Sequence, residues 1–294
     1  MSGQEPRERA MGVLRALMPA GLIMDETISL AEAGVDSLAL AELAASVSEQ
    51  FGVDLSRVEL DGSSTVGEVL AAVVDRAAGS AWPPDLPPGT GRLQDLADGL
   101  GGRVLGWWLA LEVEGAEHVP ERGPVVLAMN HESALDIPIA VVACPRRITF
   151  MAKRELFKNA FVSWWLRELG GFRVDRDRFD VGAVGWGLAV LRRGGVLGMY
   201  PEGTRAPGRL LPFLPGAAWM ALRTGAPLVP CAVTGTADGR LAARPRRARV
   251  RVRFRPPIVS GVVTDARELR GRVDELTAEL RSRVAAALPR TEAR

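Results

Sequence analysis

The stretch Asn130-His131-Glu132-Ser133-Ala134-Leu135-Asp136 holds one of only two histidines in a chain of 294 residues. Histidine is the side chain best suited to accept a proton near neutral pH, because free imidazole titrates at about 6.5. To work as a base the ring must have one nitrogen held and the other presented, and a carboxylate on the first nitrogen does this. Asp136 reaches His131 if the chain turns from strand into helix between them. A base so placed contributes roughly 10²–10⁴-fold to a rate. The alternative for the same residues is a polar strand-to-helix turn with Ser133 as its cap, and His and Asp alone do not separate the two. The other histidine, His118, stands before Val119-Pro120 and reads as a surface turn residue.

Two further stretches carry chemistry. Ser37, in Gly34-Val35-Asp36-Ser37-Leu38, stands where a helical run begins. Taken alone it reads as a cap whose hydroxyl satisfies a free backbone N–H. Pro201-Glu202-Gly203-Thr204-Arg205 follows a short apolar run. Cys144 and Cys231 stand far apart, with no CxxC and no Cys/His cluster, so neither a metal site nor a disulfide framework is expected.

These residues sit in two different settings. Residues 1–78 show helical spacing in Val13, Leu14, Leu17 and Met18, in Leu38, Leu43, Val47 and Phe51, and in Val66, Val69, Leu70, Val73 and Val74. Ser64 or Thr65 caps the third run, with Glu68 behind it. No strand-like alternation interrupts them, which predicts a small all-α bundle. Residues 79–91 hold Pro83, Pro84, Pro87 and Pro88 and read as a semi-rigid linker. Residues 92–294 mix both periods. Apolar runs at 125–129, 196–200 and 228–233 read as buried strands, and 250–254 alternates as a half-exposed one. Helical stretches lie at 134–143, 155–169, 179–192 and 215–223. A final amphipathic helix carries Leu269, Val273, Leu276, Leu280 and Val284 on one stripe. Strands alternating with helices predict an α/β layered domain.

Charge divides along the same line. The chain as a whole is +2, but residues 1–80 are −8 and the remainder +10, so the two modules suit different partners. The acidic helix after Ser37, with Glu42 and Glu49, is either a solvated face or a docking surface for basic partners. Arginines at 244–255 read either as a solvated strand face and loop or as a surface that meets anionic lipid or the acidic first module. Without aromatic platforms they do not indicate nucleic acid. The start MSGQEPRERA lacks an apolar segment, so no signal peptide is expected. No apolar stretch reaches the roughly 18 residues of a spanning helix. A cytoplasmic protein with peripheral contact at the inner membrane face is expected, and the pairs Trp107/Trp108 and Trp164/Trp165 are either core residues or indoles at that interface.

The first module resembles acyl and peptidyl carrier domains in size, helix layout, acidity and the G-x-D-S-L pattern at Gly34–Leu38. The resemblance implies that Ser37 carries a covalent 4′-phosphopantetheine arm, attached by a phosphopantetheinyl transferase. The second module resembles the glycerolipid acyltransferase family in four blocks in order. They are Asn130, His131 and Asp136 of N-H-x-x-x-x-D; Gly171-Phe172-Arg173-Val174-Asp175-Arg176; Pro201-Glu202-Gly203-Thr204-Arg205; and Val229-Pro230. Two positions depart from that family. Tyr200 stands where it usually has Phe, and Phe213-Leu214-Pro215-Gly216 lacks its usual lysine.

The resemblance implies an N-terminal all-α carrier bundle followed by an α/β acyltransferase domain with a mixed sheet flanked by helices. It implies transfer of a fatty acyl group from a thioester donor, carrier-bound or on coenzyme A, to the hydroxyl of a lysophospholipid such as 1-acylglycerol 3-phosphate. His131 would be the general base and Asp136 its orienting partner. Arg176, Glu202, Gly203, Thr204 and Arg205 would hold the acceptor, and no metal is needed. The alternatives are the same chemistry on a glycolipid, an amino-acid lipid or a natural-product alcohol, or an acyl-carrier scaffold without activity.

Overall fold

The computed structural model describes residues 110–153, 157–174, 181–237 and 249–289. N-terminal to these it describes 25–33, 35, 39–43, 45–46, 63–76 and a few single positions. Ser37, Arg176, Glu49 and the linker at 79–91 lie outside the described residues. Two compact units divide the chain. One is Met1–Pro87 with Lys153–Glu155 and Arg173–Ala189; the other is Pro88–Ala152, Leu156–Phe172 and Val190–Arg294.

In the N-terminal part the backbone is helical at 39–43 and 45–46 and again in α1 (Val66–Arg76). Helix α1 starts as its sequence says it should. The Thr65 hydroxyl accepts the N–H of Glu68 while the Glu68 carboxylate accepts the N–H of Thr65, a reciprocal capping box. Ser29 and Glu32 make the same exchange one segment earlier, and the Ser29 hydroxyl and N–H hold the Glu32 carboxyl below its ordinary value. Leu30, Ala33, Leu40, Leu43, Val66, Val69 and Leu70 are buried. Glu42 is buried too, accepting from the Ser46 hydroxyl, so it does not belong to a solvated acidic face.

The C-terminal part is built on a seven-stranded sheet. Its strands are β1 (Glu112–Glu114), β2 (Val125–Met129), β3 (Ile148–Lys153), β4 (Gly171–Val174), β5 (Val196–Met199), β6 (Leu228–Thr234) and β7 (Arg251–Phe254). They lie in the order β1-β7-β6-β2-β5-β3-β4. The sheet is mixed: β6 and β7 are antiparallel, while β6, β2, β5 and β3 run parallel. Strand β2, paired on both sides, is five apolar residues, all buried, as a parallel strand covered on both faces requires. Strands β1 and β3 fall outside the apolar runs of the sequence; β1 is three exposed residues, two of them glutamates. Those glutamates have a purpose at the edge. Glu112 and Glu114 stand opposite Arg251 and Arg253 in register and form ion pairs with them. The arginine-rich strand face is thus answered within the sheet, and Arg251 holds the Glu112 carboxyl low.

Helices α2 (Asp136–Ala143), α3 (Ala160–Glu168), α4 (Val181–Arg192), α5 (Gly216–Thr224) and α6 (Ala266–Ala287) alternate with the strands. Helix α2 begins at Asp136, with Pro138 in its first turn, where a missing N–H costs nothing. Helix α5 stops at Gly225, whose φ of 67° is the left-handed cap that glycine tolerates. The stripe Leu269, Val273, Leu276, Leu280 and Val284 of α6 is buried, and α6 packs on α5 and β6. Among the described residues no helix is long and apolar enough to cross a membrane.

Candidate active site

Strands β6, β2 and β5 are adjacent and parallel, and their carboxyl ends lead into the three segments that build the site. In open α/β sheets, ligands bind beyond such ends. Asn130 anchors the middle segment. Its amide donates to the Val233 carbonyl and accepts the Val233 N–H, at 2.9 and 2.7 Å, locking the end of β2 to β6. His131 follows at once. Its N–H donates to Glu202 Oε1 at 2.8 Å, and its carbonyl accepts the N–H of Ala206 at 2.7 Å. Its ring stacks on Tyr200, centroids 4.1 Å apart and planes 23° from parallel. Three restraints on backbone and ring fix where the imidazole points.

Asp136 completes the pair. Its Oδ2 lies 2.7 Å from His131 Nδ1 and also accepts the N–H groups of Glu132 and Ser133, at 2.7 and 2.9 Å. Its Oδ1 accepts the hydroxyl of Thr236. The side chain has 0% exposure, and its two oxygens are met by four hydrogen-bonding groups. With Nδ1 held by Asp136, Nε2 is the ring nitrogen without a hydrogen-bond partner among the described residues. The turn is therefore more than a polar cap. Ser133 does not cap α2, whose first turn has no side-chain cap; the loop wraps around the Asp136 carboxylate instead.

Glu202 is buried and spans two loops. Oε1 takes the His131 N–H and Oε2 the Leu211 N–H at 2.9 Å. Both oxygens therefore face the chain's own backbone, and its observed contribution is to join the His131 turn to the 203–211 loop. Arg281 of α6 grips the same loop from outside, donating to the carbonyls of Leu210 and Leu211. Gly203 has a φ of 69°, and a Cβ there would meet Leu214 Cδ1 at 2.8 Å. Thr204, Arg205 and Arg209 are exposed. Glu132 is half-buried, and burial followed by the Asp136 and Glu202 charges pushes its carboxyl up, against a Gly208 N–H that lowers it. Where the lysine was expected, Leu214 is 58% exposed and Pro215 is the residue before α5. Burial, then the charges of Asp136 and Cys231, drive the Tyr200 phenol far above its ordinary range. Its hydroxyl is buried and has no hydrogen-bond partner among the described residues.

Residues 110–234 match the family model described as Acyltransferase, and residues 12–73 match the one described as Phosphopantetheine attachment site. Two separate stretches of the chain are thus similar to two different families, the N-terminal one to phosphopantetheine attachment sites and the C-terminal one to acyltransferases. The 1-acyl-sn-glycerol-3-phosphate acyltransferase of Bacillus subtilis is 32% identical over 44% of this chain and 65% of its own length. The human 1-acyl-sn-glycerol-3-phosphate acyltransferase alpha is 35% identical over 44% of this chain and 47% of its own. The chain thus spans less than two thirds of either relative. A crystal structure of the 1-acyl-sn-glycerophosphate acyltransferase from Thermotoga maritima aligns with a TM-score of 0.48 at 20% identity, over 97% of this chain and 100% of that one.

Within the transferase domain the structure brings together His131, Asp136 and Glu202. It adds Thr236, Asn130 and Tyr200 as their supports, to which the sequence reading assigned no such part. The one signal for Thr236 is its place: it follows Gly235 just past the end of an apolar strand, where polar residues of such sheets gather.

Proposed function

We propose that the transferase domain moves a fatty acyl group from a thioester to the hydroxyl of a lysophospholipid such as 1-acylglycerol 3-phosphate. The observation that carries this reading is the buried His131–Asp136 pair, with Nδ1 held at 2.7 Å and Nε2 left for the acceptor. The acceptor oxygen attacks the thioester carbonyl as His131 Nε2 takes its proton. The new C–O bond forms, the C–S bond breaks, and the proton passes to the departing thiolate. Asp136 orients the ring and stabilises the imidazolium. Arg205, with Arg176, Thr204 and the backbone at Gly203, binds the acceptor's phosphate. The relatives' names support this acceptor.

The fused carrier domain supports a protein-bound donor. When attached to Ser37 by a phosphopantetheinyl transferase, 4′-phosphopantetheine supplies a thiol that holds the acyl group as a thioester; coenzyme A is the other donor. Peripheral contact with the inner membrane face is supported by α3, where Phe161 and Trp164 are 70% and 51% exposed beside Lys158 and Arg167.

One observation favours a second reading of the acceptor. Exposed Leu214 and half-buried Pro215 stand in place of a basic contact, which suits an acceptor with less charge than a phosphate monoester, such as a glycolipid, an amino-acid lipid or a natural-product alcohol. Acyl transfer by purified, arm-loaded protein to a panel of acceptors decides. Phosphatidate as product supports the first reading, another ester the second, and no transfer to any acceptor overturns both. Intact-mass analysis of wild type and Ser37→Ala checks the attachment site: an arm that survives the substitution removes Ser37 from the scheme. Mixing Ser37→Ala with His131→Ala protein and recovering transfer would show that arm and active site need not share a chain.

A further inference from the structure

We infer that Thr236 is a positioning residue for the reaction: its hydroxyl sets the Asp136 carboxylate, and through it the His131 ring. The inference rests on the reading of His131 as the base. Asp136 has two oxygens with unequal duties. Oδ2 is shared by three donors, the His131 ring and the N–H groups of Glu132 and Ser133, all within the same turn. Oδ1 is met by the Thr236 hydroxyl. Thr236 is thus the donor that reaches Asp136 from another element, 100 residues further along the chain.

That connection has a geometric consequence. A carboxylate held by one oxygen can rotate about its Cβ–Cγ bond and tilt Oδ2 relative to the imidazole. Held at both oxygens, from two elements, it cannot. Thr236 is itself fixed. It is 3% exposed and follows Gly235, whose φ of 85° turns the chain back as β6 ends. The Asn130–Val233 exchange ties that same stretch of β6 to the end of β2. The dyad is therefore referenced to the rigid centre of the sheet as well as to its own loop. A threonine hydroxyl suits the place because it donates to a carboxylate without bringing a charge that would compete with the imidazolium.

The test uses the full chain and three substitutions. Thr236→Val keeps the shape and removes the hydroxyl, Thr236→Ala removes it without an added methyl, and Thr236→Ser restores it. Loss of a hydrogen bond to a charged group should lower kcat about 10- to 100-fold in the Val and Ala variants. KM should stay near wild type, because the hydroxyl of buried Thr236 is engaged with Asp136 and not with a residue assigned to the acceptor. Thr236→Ser should recover most of kcat. Because the chain has two histidines, the His131 Nδ1–H proton can be followed by NMR in protein labelled at histidine, with His118 as internal reference. That resonance should shift in the Val and Ala variants and return in Ser. Wild-type kcat with an unshifted resonance in both hydroxyl-free variants would overturn the inference, and so would a Ser variant as impaired as Val. If the wild type transfers no acyl group to any acceptor, the functional reading fails, but the NMR comparison still decides whether Thr236 sets the pair.

Discussion

The two loops that meet beside His131 are built on opposite terms. Residues 130–136 are held by Val233, Glu202, Ala206, Thr236 and Tyr200, and Asp136 is wholly buried with four donors around it. The 203–211 loop is anchored at its base by Glu202 and from outside by Arg281, but Thr204, Arg205 and Arg209 stand exposed. On the proposed function the contrast separates two tasks. A base must be in place before its substrate arrives, because reorganising it during the reaction costs rate. On the proposed function, the exposed groups that grip an acceptor can order when it binds.

Breaking the rigid side should give the largest effect. Asp136→Asn offers an amide where Nδ1–H and two backbone N–H groups all need an acceptor. It should lower kcat about 10³–10⁴-fold with little change in KM, read from steady-state acyl transfer. Glu202→Gln should come next. One of its two backbone N–H partners then meets an NH₂ group, which should cost about 1.5–3 kcal/mol in stability by denaturant titration. If Glu202 works only by joining the loops, its loss should lower kcat and stability together; a pure KM effect would move it to the acceptor side.

On the open side, Arg205→Lys should raise KM for a phosphate-bearing acceptor about tenfold while kcat holds, since lysine keeps the charge and loses the fork. An unchanged KM would assign the phosphate elsewhere. The smallest effect is expected for Tyr200→Phe. The hydroxyl is buried and has no partner among the described residues, so its removal should leave kcat intact and stabilise the fold by about 1 kcal/mol. The ring stack on His131 does not need it. A drop in kcat would mean that the hydroxyl serves the site, and that the rigid loop is less self-contained than its hydrogen bonds suggest.

Much of the fold was legible because it rests on local pattern. The run at 125–129 is β2 residue for residue, and the α6 stripe is buried as its spacing requires. The capping box of α1 needed only Thr65 and Glu68, three positions apart. Boundaries shifted where a neighbour intervened. The 134–143 stretch becomes a helix only from Asp136, because the residues before it wrap around that carboxylate. Strand β1 was invisible: three residues with two glutamates carry no apolar signal, and its place comes from pairing with Arg251 and Arg253 on β7.

The site divides the same way. His131 and Asp136 are close in sequence, so one turn of chain can join them, but their types and spacing left a polar turn open, and it was the further blocks in order that singled the pair out. Glu202 was visible as a motif residue, but its part was not: the partner that defines it, the His131 N–H, lies 71 residues away. Thr236 had no local mark beyond its place after a strand, and it reaches Asp136 across 100 residues. Side-chain chemistry and short-range spacing belong to the sequence because a few bonds limit where such residues can go. Which distant donors complete a buried carboxylate is decided only when parallel strands bring their carboxyl ends side by side.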